Sequence, residues 1–101
     1  MAEVTFSNAA EADLVEIDEF SLAHFGEVAS QIYMQGFTTA FSLLAQHPLA
    51  GEAKPLLTLR IRCLVHRQHR ILYQVDGDDV LIVRVVHHAM DAKLALKGAT
   101  E

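Results

Sequence analysis

Hydrophobic and polar positions change period twice along this chain. Residues Glu3 to Phe6 alternate, with Val4 and Phe6 on one side, which predicts a short strand. From there the spacing becomes helical: Ala10, Leu14, Ile17, Ser21 and His24 fall on one stripe. Asn8 reads as the N-cap, with Glu11 three positions on as in a capping box. The helix runs to about Phe25, where Gly26 ends it by tolerating a left-handed backbone. A second helix follows at once, with Val28, Ala29, Ile32, Gly36, Phe37, Ala40, Leu43 and Leu44 on one stripe, and Pro48 stops it. A twenty-residue helix is about 30 Å long. Two such helices joined by a minimal turn form an antiparallel hairpin with an apolar stripe to bury.

After a loop from Leu49 to Pro55 the period falls to two. Leu57 to Asp91 reads as three strands in a row, separated by turns at Arg67-Gln68 and at Asp76-Gly77-Asp78, where Asp-Gly is a strong hairpin signal. In the first of these strands Leu57, Leu59, Ile61, Cys63 and Val65 face one way and Thr58, Arg60 and Arg62 the other. If Val83 and Val85 point to the core in the last strand, Arg84 shares the arginine face. A short helical stretch, Ala92 to Leu96, packs on the sheet, and the tail frays from about Lys97. The predicted order is β-α-α-β-β-β, an α+β two-layer sandwich whose helical hairpin lies on one face of a small antiparallel-rich sheet. The 101 residues form a single domain.

Charge is split between the halves. Residues 1–51 hold seven acids and no Lys or Arg, while all eight cations fall in residues 52–101. From Lys54 to Arg70 there are five cations, two histidines and no acid. An acidic first half argues against broad nucleic-acid binding, and the basic segment points to a local anion or protein contact. No apolar run approaches the roughly 18 residues of a membrane span. The start of the chain lacks a basic-then-apolar signal peptide, so a reducing cytoplasm is expected. The one cysteine, Cys63, falls on the apolar face and reads as a buried structural thiol.

Histidine pairs invite a metal reading, which the spacing opposes. His66 with His69 and His87 with His88 stand at odd spacings, which place side chains on opposite faces of a regular strand, and no cysteine or acid lies at ligand spacing. No metal and no cofactor are expected. Ser7, Ser21, Ser30 and Ser42 lack a glycine elbow, so no nucleophilic hydrolase site is legible. Tyr73 alternates with Ile71 and Val75 as a half-buried strand aromatic. Arg60, Arg62, Arg67, Arg70 and Arg84 remain as a cationic group whose mutual repulsion calls for a negative partner.

Five segments together resemble a known family. They are Phe6-Ser-x-x-Ala10-x-x-Asp13-Leu14-x-x-Ile17; Phe25-Gly26; Phe41-x-Leu43-Leu44-Ala45-x-His47-Pro48-x-x-Gly51; Arg70-Ile71-x-Tyr73-x-Val75-Asp76-Gly77-Asp78; and Ile82-x-Arg84-Val85-x-His87-x-x-Met90-Asp91. In this order they are similar to the ParE branch of the RelE/ParE toxins, across nearly the whole chain. The resemblance implies the toxin of a type II toxin–antitoxin system of the plasmid-stabilisation kind. It would be neutralised in a hetero-oligomer by a cognate ribbon-helix-helix, ParD-like antitoxin, and would contact DNA only through that antitoxin. ParE-like members inhibit DNA gyrase by binding, whereas RelE-like members are ribosome-dependent mRNA endonucleases. Here Ala89 stands where relatives often carry an arginine, and no tyrosine follows Tyr73. The ParE-like reading therefore predicts no catalytic residues and a binding surface for antitoxin or target at Arg60, Arg62, Arg70, Arg84, His87 and Met90. The alternatives are a nuclease using His69, His87 and His88 with Arg62, Arg70 and Arg84, or a degenerate toxin retained for antitoxin binding and operon autoregulation.

Overall fold

Ser7 sets the start of the helical region. Its hydroxyl accepts the Ala10 backbone N–H at 3.0 Å and donates to the Val83 carbonyl at 2.7 Å. The N-cap is thus Ser7 rather than Asn8, because the extended backbone of Ser7 turns its hydroxyl onto the first free N–H groups. The computed structural model describes residues 2–54 and 60–100, with 98–100 by backbone alone. The face assignments of Leu57, Thr58 and Leu59 lie outside the described residues.

The elements are β1 (Val4–Phe6), α1 (Asn8–Gln46), β2 (Glu52–Ala53), β3 (Arg62–His66), β4 (His69–Asp76), β5 (Asp79–His87) and α2 (Ala92–Thr100). Gly26 breaks α1 into two arms, with φ 85° and ψ 173°. Across that turn the Ser30 hydroxyl donates to Asp18 at 3.0 Å, tying one arm to the other. The five strands are ordered β1-β5-β4-β3-β2; β1 runs parallel to β5, and the other pairs are antiparallel. Both predicted hairpin turns form. The β3–β4 turn holds Arg67 at φ 51°, and the β4–β5 turn uses Gly77 at φ 61°, the left-handed conformation glycine adopts without strain.

Apolar residues cover both faces of the sheet. Ile71, Tyr73, Val80, Ile82 and Val85 pack under α1 against Ala10, Phe37 and Leu44. On the other side Ile61, Cys63, Leu72, Val83 and Val86 pack with Ala95 and Leu96 of α2. The hairpin-on-sheet architecture stands, but the second face carries a helix rather than solvent. Cys63 is buried there, and burial pushes its thiol pKa up. Val65, expected on the same apolar face, lies exposed near the end of its strand.

A bulge in β5 decides the placement of Arg84. Leu72 pairs with Arg84 and Tyr73 with Ile82, so Val83 has no partner on β4. The extra residue turns Val83 and Val86 to the α2 side and Val85 to the α1 side. Strict alternation across Val83, Arg84 and Val85 fails, and with it the shared face of Arg60, Arg62 and Arg84. Helix α1 serves the backbone around the bulge: Ser7 takes the Val83 carbonyl, and Asp13 accepts the Val85 N–H at 2.9 Å.

The turn after α1 is locked from the sheet. Tyr73 donates its hydroxyl proton to the Pro48 carbonyl and accepts the Gly51 N–H, both at 2.8 Å. A Cβ at position 51 would stand 2.7 Å from that hydroxyl and 2.8 Å from the Cys63 carbonyl. This explains why the His-Pro-x-x-Gly turn and the Tyr-x-Val-Asp-Gly hairpin occur together.

Candidate functional site

The arms of α1 outrun the sheet. Phe37 and Leu44 of the expected stripe are buried, but Val28 is 73% exposed and Ile32 64% exposed, because they lie toward the Gly26 end. Between this overhang and the end of the sheet runs a cleft of about 1180 Å³. Phe20, Phe25 and Ile32 line its helical wall, together with Glu16 and Glu19. Arg67, His69, Arg84, His87 and Met90 line the opposite wall.

Tyr33 joins the walls. It is one helical turn before Phe37, facing the sheet, and its hydroxyl lies 2.6 Å from His69 Nδ1. The Gln68 backbone N–H also reaches the phenol oxygen, yet burial dominates and raises the Tyr33 pKa. His66 Nε2 donates to the Tyr33 carbonyl at 3.1 Å, and its ring meets Phe37 edge to face. Gly36 makes room for that ring, since any Cβ there would collide with it. His69 and His87 stand edge to face with centroids 5.6 Å apart. Burial lowers the His69 pKa, and the neighbouring His87, His66 and His88 lower it further. His88 Nε2 donates to Gln68 Oε1 at 2.8 Å, which ties the end of β5 to the β3–β4 turn.

The arginines are dispersed. Arg84 is clamped by Asp13 through Nε and Nη2, each at 2.7 Å, while Nη1 donates to the Ala95 carbonyl at 2.8 Å. That bidentate pair raises the Arg84 pKa against the opposing effect of burial. The negative partner that the cationic group calls for is therefore supplied, for Arg84, from within the chain. Arg70 donates to the carbonyls of His88 and Met90, at 3.2 and 2.7 Å. Arg62 donates to those of Gly51 and Leu49, each at 3.0 Å, and with exposed Arg60 borders a separate recess of about 330 Å³.

Of the residues singled out in the sequence, His69, Arg84, His87 and Met90 line the cleft; Arg60, Arg62, Arg70 and His88 do not. Arg67, read in the sequence as one of the cationic group, lines the cleft too, whereas Tyr33 and Asp13 are members to which sequence reasoning gave no role. Ser30, Tyr33, Phe37 and Leu44 recur at helical spacing, a signal that was available for Tyr33. Nothing in the periodicity points to a buried acid at position 13. Among the described residues no group of three or more His, Cys, Asp or Glu is placed to hold a metal ion, and no helix is long and apolar enough to cross a membrane.

A helical hairpin laid over one face of a five-stranded sheet, with a cleft under its tip, is an architecture that, together with a family match over residues 4–92, places this chain among the RelE/ParE-superfamily toxins. The fold is shared with a chain of the chromosomal ParDE toxin–antitoxin system from P. aeruginosa: TM-score 0.72, 21% identity, 86% of this chain and 96% of that one covered. It is shared also with a chain of the RelBE2 toxin–antitoxin complex from Mycobacterium tuberculosis: TM-score 0.59, 26% identity, 88% and 93% covered. The chain belongs to the ParE family, since residues 4–92 match the family model described as the ParE toxin of the type II toxin–antitoxin system parDE. Toxin ParE1 of Caulobacter vibrioides is 29% identical over 96 residues, covering 95% of this chain and 99% of that protein.

Proposed function

We propose that this toxin acts in the cytoplasm by binding DNA gyrase, and that a ParD-like antitoxin silences it by laying a segment into the cleft under the hairpin. One observation carries the choice of binding over RNA cleavage: the arginines a nuclease would turn on a phosphate already donate to the protein itself. Arg84 is held by Asp13 and the Ala95 carbonyl, Arg70 by two carbonyls, and Arg62 by two more. Stabilising a phosphorane needs cationic donors aimed at the reacting group. The family membership and the name of the Caulobacter relative support the toxin–antitoxin part of this reading.

The Tyr33–His69 pair favours a second reading, because a phenol and a neutral imidazole in a cleft can exchange a proton. Two assays on purified protein separate the readings. Supercoiling by gyrase should fall when the toxin is added, and messenger RNA translated on ribosomes should stay intact. Ribosome-dependent cleavage, with gyrase unaffected and a loss of about 10²–10⁴-fold on His69→Ala, would establish the nuclease instead. Silence in both assays would leave antitoxin binding and autoregulation.

A further inference from the structure

Two imidazoles in the cleft have their Nδ1 atoms engaged by neighbours. His87 Nδ1 accepts the Ala89 backbone N–H at 3.1 Å, so the neutral ring carries its proton on Nε2. His69 Nδ1 faces the Tyr33 hydroxyl at 2.6 Å. With Nδ1 engaged by Tyr33, His69 keeps Nε2 for a further partner. Both rings line the cleft, and among the described residues neither Nε2 has a hydrogen-bond partner. Arg67, on the same wall, forms no ion pair among the described residues.

We propose that His69, His87 and Arg67 form a subsite for a single carboxylate, carried on an apolar protein segment that lies along Phe20, Phe25 and Ile32. A carboxylate accepts several hydrogen bonds at once and takes an arginine fork in bidentate geometry. An aliphatic or aromatic flank beside it matches the apolar helical wall. A nucleic-acid strand fits less well, because successive phosphates would run toward Glu16 and Glu19 on that wall. The subsite rests on the reading that the cleft receives an antitoxin segment.

Charge around the imidazoles makes binding proton-coupled. From α1 the facing acids are Glu16, Glu19 and Asp13, the last committed to Arg84. From β3 and β4 come His66 and Arg70, and beyond β5 stands His88, all cationic or able to become so. Asp91 turns its carboxylate to the backbone N–H groups of Lys93 and Leu94. Burial, with the neighbouring imidazoles, lowers the His69 pKa and so disfavours its imidazolium. An entering carboxylate favours the imidazolium, so protons are taken up on binding and affinity rises as pH falls from about 8 to about 6.

The test follows the imidazole ring resonances by NMR, using 4-phenylbutanoate as the probe and 4-phenylbutanamide as its uncharged match. The acid should shift the His69 and His87 signals, raise the His69 titration midpoint and bind severalfold more tightly at the lower pH, while the amide leaves that midpoint in place. Arg67→Gln should weaken the acid severalfold and the amide not at all. Equal effects of acid and amide, or acid-induced shifts confined to the hairpin, would overturn the subsite. So would preferential binding of a short oligoribonucleotide to the same rings. Failure here, with gyrase inhibition and antitoxin neutralisation intact, leaves the toxin reading standing; acid-selective binding without either activity overturns that reading and keeps the subsite.

Discussion

Asp13 accepts three hydrogen bonds, two from Arg84 and one from the Val85 backbone N–H, at only 8% exposure. Removing one partner of such a pair leaves the other charge uncompensated, which costs about 3–5 kcal/mol. Asp13→Ala should therefore lower the denaturation midpoint far more than Glu11→Ala, whose side chain is exposed. Equal midpoints would mean that the Arg84 guanidinium finds water unaided. His69 works in the opposite sense, as a group the fold prefers uncharged. Its folded pKa lies below the ordinary 6.5, so over that interval the unfolded chain holds a proton the folded chain does not. Stability is full above pH 6.5 and declines as pH falls from there through the folded pKa. Urea midpoints measured at about pH 7.5 and about pH 5.5 should differ in that direction, and His69→Phe should reduce the difference.

At the scale of elements, what was legible in the sequence was what local chemistry dictates. Gly77 forms the β4–β5 turn because a left-handed residue is needed there, and Gly26 breaks α1 for the same reason. The bulge in β5 was not legible, since its backbone groups are served by Ser7 and Asp13, more than seventy residues away. Nor was the site: the arginines that looked free are spent on carbonyls and on Asp13, while Arg67 and Tyr33 gain their places only when the hairpin meets the sheet. The helix stripe was right at Phe37 and Leu44, over the sheet, and wrong at Val28 and Ile32, which overhang it, and at Leu43. Leu44→Ala should cost about 2–5 kcal/mol because the side chain is fully buried. Val28→Ala, on the overhang, should stay within about 0.5 kcal/mol. Similar losses for both in chemical denaturation would show that the overhang is packed in solution.

On the scale of the whole molecule, the segments that complete the cleft come from opposite ends of the chain. Phe20, Phe25 and Ile32 belong to the first third, His87 and Met90 to the last sixth. The parallel pairing of β1 with β5 has the same character, joining Val4 to Val80. As the chain leaves the ribosome, Val4 to Phe6 has no neighbouring strand, and Asp13 no cation, until Asp79 to His87 has been synthesised. Non-local contacts of this kind form late, after the loop-closure entropy has been overcome. A nascent chain that stalls before β5 lacks Arg84, His87 and Met90 of the sheet-side wall, so the cleft is completed only once β5 has been made.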